Sequence, residues 1–163
     1  MIQNILEDLI EKINKVSGLR YCGEDWGQLN FEQPPVDFPC ALVDIMDAGY
    51  TSQSKGVQTA EITISVTVAD IRYNGITANL PARQAEQEFS IFTLIENVNR
   101  QIHGHGGVSY NRLSRASMKK ILREDSIREF LITYKTSYTD STAKELSQEA
   151  SDAKPRIKIK AAE

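Results

Sequence analysis

Between residues 59 and 71 apolar and polar side chains alternate without a break. Ile62, Ile64, Val66 and Val68 fall on one side of an extended chain, and Glu61, Thr63, Ser65 and Thr67 on the other. A strand turns successive side chains to opposite faces. Every residue from 62 to 68 except Ser65 is β-branched, which favours strand over helix. The pattern predicts an antiparallel sheet that is apolar on one side and polar on the other.

Two helical patterns supply the cover. Ile2, Ile5, Leu6, Leu9, Ile10, Ile13 and Val16 recur at three- and four-residue steps, drawing one apolar stripe down an N-terminal helix. Its other face carries acids early and lysines late, as the helix dipole prefers, and Gly18 stands where a C-terminal cap belongs. That acidic polar face argues against a helix lying on a membrane surface. The second pattern begins after Pro81, a residue suited to a first helical turn, and runs to about His103. Ala85, Phe89, Phe92, Ile95, Val98 and Ile102 form its expected core stripe, widened by Ile91 and Leu94.

The remaining segments read as strands and turns. Residues 19–22 suit a short strand. Residues 23–37 are rich in turn formers, and Trp26 and Phe31 there are expected to plug a sheet edge. Residues 40–46 form the next strand, with Ala41, Val43 and Ile45 on one face. Residues 47–56 are polar and glycine-flanked and are predicted to be a long hairpin loop, a projecting arm available to a partner. Residues 114–122 and 127–138 read as a closing hairpin around residues 123–126, with Phe130, Ile132, Tyr134 and Tyr138 on a shared face. The expected fold is therefore α+β: an antiparallel, mainly four-stranded twisted sheet, two α-helices on one face, and a long β-hairpin arm. Residues 1–140 make one domain. Residues 141–163 make a polar extension in which Arg156-Ile157-Lys158-Ile159-Lys160 alternates basic and apolar positions. This segment is either a loose tail or a strand added to a neighbour.

Composition changes the picture in one respect. The 163 residues have a net charge of −3, but it is unevenly spread. Residues 1–99 hold 6 Lys/Arg against 14 Asp/Glu, and residues 100–128 hold 7 against 2. A basic segment facing an acidic remainder suits either a solvated hairpin or a head-to-tail contact between subunits. Tyr50 and Lys55 on the arm, with Arg112, Arg115, Lys119, Lys120 and Arg123, are the candidate interface with another subunit or a protein partner. The negative total and thin aromatic interleaving around Tyr110 argue against nucleic acid as the main partner. No apolar run approaches the roughly 20 residues that cross a bilayer.

Candidate chemistry is sparse. Cys22 and Cys40 are expected to be free, partly buried thiols. His103 and His105 form an H-x-H pair without the third ligand a metal needs, and are expected to close a glycine-rich helix stop. A hydrolase reading would set either histidine beside Ser109 or Asp125, but no nucleophile elbow or paired carboxylates stand out. No catalytic, metal or cofactor site is assigned. A small α+β ligand-binding module remains an alternative, although no polar groups converge in the sequence.

The order helix, loop, strand, long hairpin, strand, helix, glycine-rich turn, hairpin and tail carries a resemblance. It lies in Phe38-Pro39-Cys40-Ala41-Leu42-Val43-Asp44, in the strand over residues 58–69, in residues 94–104 ending Ile102-His103-Gly104, and in the closing strand over residues 134–140. With these stretches, residues 1–140 resemble the tail terminator (tail completion) proteins of bacteriophages and prophages and the related head–tail neck proteins. The resemblance implies a non-enzymatic structural subunit that assembles into a hexameric ring. The ring caps the tail tube, stops its elongation and presents the surface for joining the head. The implied partners are further copies of the chain, the tail tube protein and a head–tail connector. The implied location is the bacterial cytoplasm during assembly, then the neck or tail of the virion.

Overall fold

The computed structural model describes residues 1–143, so the alternating segment 156–160 lies outside the described residues. Among the described residues the fold is α+β, with two α-helices, a short 3-10 helix (Gln28–Asn30) and one five-stranded mixed sheet. In chain order the elements are α1 (Ile2–Asn14), β1 (Tyr21–Glu24), β2 (Cys40–Ser54), β3 (Val57–Ile71), α2 (Ala82–Ile102), β4 (Ser114–Ile121) and β5 (Ile127–Asp140). The spatial order is β1-β2-β3-β5-β4. Strands β2, β3, β5 and β4 are antiparallel, as expected, while β1 is a fifth strand lying parallel to β2.

The alternating segment is the central strand. β3 pairs with β2 on one side and with β5 on the other along its whole length, from Val57 to Ile71. Ile62, Ile64, Val66 and Val68 lie in one core with Ile132 and Tyr134 of β5 and Ile5, Leu9 and Ile13 of α1. Helix α2 adds Ile91, Leu94, Ile95, Val98 and Ile102. Burying each such side chain stabilises by about 1.5–3 kcal/mol. Phe89 and Phe92 depart from the expected stripe and are largely exposed. The buried positions follow Ile91, which rotates both phenylalanines to the margin, where Phe92 meets Phe130 at 5.5 Å between ring centroids.

The second face of the sheet is not wet throughout, as its polar residues suggested. The loop from Asp25 to Pro39 crosses the base of the sheet and joins the parallel strands. Beneath it Leu29, Cys40, Leu42, Ala69 and Ile127 form a second small core, packed against by Val36 and Phe38. Ser65 and Thr67 are buried there, and Thr67 donates a hydrogen bond to Asp25 at 3.2 Å. The aromatic plug fails to form. Trp26 and Phe31 meet in a tilted contact at 5.4 Å between ring centroids but stay 58% and 55% exposed.

The largest departure is the arm. Residues 47–54 continue β2 instead of forming a loop, leaving only Lys55 and Gly56 in the turn. Gly56 has φ +71°, a conformation glycine adopts without steric cost. The polar composition hid a strand because β3 and β5 already form a template there, with Tyr50 opposite Ala60 and Tyr138 opposite the same residue. A bulge at Met46 shifts the register at the arm's root.

Two polar clusters lock the helices to the sheet. Arg128 and Asp70 are cross-strand partners in β5 and β3 and form a two-pronged ion pair at 2.9 and 2.5 Å. Arg128 also donates to the Glu88 carbonyl of α2 at 2.8 Å. The Glu88 carboxylate accepts the Tyr73 and Asn74 N–H groups and fixes the loop before α2. At the other end Lys12 and Tyr110 both donate to Asp8, and Lys12 reaches the Gly106 carbonyl at 2.9 Å. This cluster ties α1 to the glycine-rich turn. A Cβ on Gly107 would stand 2.3 Å from the Tyr110 ring, so glycine is required by close approach.

Removing the Arg128 head group leaves two carboxylates in a site almost closed to water. Arg128→Ala is expected to cost about 3–5 kcal/mol in urea unfolding; a loss below about 1 kcal/mol would contradict this packing. Burial pushes the Cys22 thiol up to about 11 and the Cys40 thiol up to about 12. Both therefore stay protonated at pH 8, and the thiolate is the reactive form. Ellman's reagent should react slowly with the native protein and rapidly with both thiols after denaturation. Rapid native reaction at Cys40 would contradict its burial.

Candidate functional site

Among the described residues, the arm and the two outer edges of the sheet are open surfaces. The arm comprises β2 and β3 from about Asp47 to Glu61 with the end of β5. It is bound together by register and by a contact between the Tyr50 and Tyr138 hydroxyls at 3.0 Å. Tyr50 is thus half engaged in holding β2 to β5 across β3, with the rest of its ring exposed. Lys55 stands at the tip and is exposed.

Across the arm's root, on the face away from the helices, runs an open groove of about 450 Å³. Asp47 and Glu61 line one side of it, and Arg112 and Lys135 the other. The two signs of charge face each other over polar backbone, which makes a surface for a polar partner rather than an enclosed apolar pocket.

β4 forms one outer edge, and nearly all of it is exposed on both faces. The register assigns each side chain a face. Arg115 opposes Tyr134 and Lys120 opposes Phe130, both core residues, so both cations project on the helix side. Lys119 opposes Leu131 and projects on the other side. A bulge between Arg115 and Ser117 adds twist to the edge. The three cations therefore rim one strand from both sides and do not converge on a point. Met118 and Leu122 are exposed along the same edge.

Arg123 departs from its expected role. Its guanidinium donates to Asp125, to Glu129 at 2.8 Å and to the Leu29 carbonyl at 2.6 Å. The bonds to Asp125 come first in raising its pKa, and the same contact holds the Asp125 carboxyl below its usual range. The side chain clamps the loop over the second core to the β4–β5 turn. Arg128, also counted in the basic segment, is buried in its ion pair with Asp70. The basic segment thus presents fewer free cations than its count suggested. Nothing in the local sequence marks this difference, because the partners of Arg128 lie 40 and 58 residues away.

The histidines serve the backbone. His103 Nδ1 accepts the Arg115 N–H at 3.1 Å, and the turn below it is held by Gly104 N–H to Leu113 and Leu113 N–H to His105. Asp125 of the hydrolase reading is occupied by Arg123 and the Ile127 N–H. Among the described residues no group of three His, Cys, Asp or Glu side chains is placed to hold a metal ion. No described helix is long and apolar enough to cross a membrane.

No family model matches the chain. No curated protein matches it either. Among solved structures it is similar to one chain of the virion of a native gene transfer agent (GTA) particle, at a TM-score of 0.48 and 10% identity. The likeness covers 85% of this chain and 94% of that one. At that level it carries no argument about function.

The placement of the cations separates structure from surface. Arg123→Ala should lower unfolding free energy by about 1–3 kcal/mol, because it strips charge-assisted hydrogen bonds from three partners. Lys119→Ala should stay within about 0.5 kcal/mol of wild type. Equal effects in thermal unfolding would contradict the assignment.

Proposed function

We propose that the protein is a structural subunit of a phage or prophage tail. Copies assemble into a ring, hexameric by the resemblance in residues 1–140, that caps the tail tube, stops its elongation and offers the surface where the head is joined. The observation that carries this reading is the arm. The sheet extends well past the residues that pack against helices, and the extension is rigidly paired yet exposed over most of β2 beyond Ile45. Rigid, exposed sheet suits binding of protein neighbours through broad polar contact.

Charge distribution supports a ring. A closed cyclic assembly needs two different, complementary patches on each subunit. β4 is the edge on one side of the sheet and carries Arg115, Lys119 and Lys120. The opposite side carries Glu24, Asp44 and Asp47. Opposite charges at opposite edges favour head-to-tail contact and disfavour two identical edges meeting. The partners of the ring are the tail tube protein and a head–tail connector. In this reading the chain works in the bacterial cytoplasm during assembly and then in the tail or neck of the particle, and it performs no catalysis.

Tails assembled without this protein should be overlong, and supplying it should restore uniform length in electron micrographs. The triple variant R115E/K119E/K120E should cap at least about tenfold less well, a loss equivalent to about 1.4 kcal/mol in affinity, with little change in thermal stability. Tails of normal length made without the protein would contradict a terminator. If such tails also failed to join heads, the neck role would take its place.

A further inference from the structure

The outer edge of β2 is built to receive a strand. β1 pairs only with Cys40 to Val43, yet β2 runs on to Ser54. Among the described residues no strand covers β2 from Asp44 to Ser54 on the side away from β3. An unpaired edge leaves backbone donors and acceptors without partners. Here one is answered locally: the Asp44 carboxylate turns back to accept the Ile45 N–H at 2.7 Å. A side chain stands where the next strand's carbonyl would be.

The edge also has two chemically distinct faces. Ile45 and Ala48 oppose Ile64 and Ile62, so they lie on the helix side, where Ile2 and Leu6 of α1 complete a notch of about 420 Å³ with an apolar floor, bordered by Glu24, Asp44 and Asp47. Asp44 and Asp47 oppose Ser65 and Thr63 and lie on the other side. A strand that fits must be apolar on one face and basic on the other. Arg156-Ile157-Lys158-Ile159-Lys160 has that pattern, with two isoleucines at alternate positions between three cations. Pro155 before it favours extended backbone and suits the first residue of a strand.

We propose that residues 156–160 of a second copy of this chain add as a strand to the outer edge of β2, beside the end of β1. Ile157 and Ile159 enter the notch, and Arg156, Lys158 and Lys160 face Asp44 and Asp47. The inference rests on the ring reading and assigns Asp44 and Asp47 to the neighbour's residues 156–160 in place of its β4 cations, so that each copy offers one donor segment and one acceptor edge. Reach permits it. β5 ends with Asp140 opposite Gln58 at the arm tip, and residues 141–154 can span at most about 50 Å when extended. The described chain therefore ends beside the tip of the arm.

The test uses full-length variants and light scattering. I157D/I159D removes the donor, and D44K/D47K removes the acceptor. Circular dichroism and thermal melts check that both are folded. Each variant alone should raise the self-association constant of dissociation at least about tenfold. Mixing the two should give a one-to-one complex, because each supplies what the other lacks. Adding K158E/K160E to the D44K/D47K chain should restore association. The inference is overturned if wild type stays at single-chain mass at every concentration, or if both variants associate as wild type does. It is equally overturned if the mixture remains single chains, which is the result expected when the segment closes its own edge. Tube-length assays separate this from the capping role: an I157D/I159D chain that caps tubes normally ends this inference and leaves the proposed function standing.

Discussion

The sheet is longer than its cover. β2 and β3 have 15 residues each and β5 has 14, so the central strands extend for roughly 50 Å at about 3.3 Å per residue. Helix α1 has 13 residues and α2 has 21, or about 20 and 31 Å of helix. The core reaches Ala60 of β3 and Tyr138 of β5, and beyond them the end of the β2–β3 hairpin stands alone. Most of the remaining architecture follows from this mismatch. The covered part holds both cores and both polar locks, and the uncovered end is the arm.

An exposed extension of sheet is a liability unless something manages its edges. This protein uses several devices at once. β4 is studded with cations, its pairing is broken by a bulge, and a second bulge twists β2 at the root of the arm. On the other side Asp44 occupies a free N–H of its own strand. Each device discourages a copy from pairing indiscriminately through like edges. None prevents pairing with a strand of the right alternation and charge. Negative charge on one edge and positive on the other turns a hazard into a preference for one orientation.

Much of this was legible from residue order. The period-two run at β3 located the central strand, and the three- and four-residue spacing of Ile5, Leu9 and Ile13 located α1, because core burial on one face imposes those periods directly. What escaped notice depended on distant partners. Residues 47–54 look like a loop because Gly, Ser and Asp dominate them, yet β3 and β5 hold them in register. Ser65 and Thr67 look solvent-facing because the loop that covers them comes from residues 25–39, far back in the chain. Among the candidate interface residues, Lys55, Arg112, Arg115, Lys119 and Lys120 are exposed cations. Arg123 is not, and only the position of Leu29 and Glu129 around it explains why.

In the proposed role the protein acts through its edges and arm, which are open in the free subunit and covered in the assembly. Hydrogen–deuterium exchange on the free protein and on protein bound to tail tubes tests this most directly. The outward-pointing amides of residues 46–54 and 114–121 should exchange quickly in the free state and slow by at least about tenfold when assembled, while those of β3 stay protected throughout. Unchanged exchange in both segments, with new protection confined to the loop around Trp26 or to α2, would contradict it.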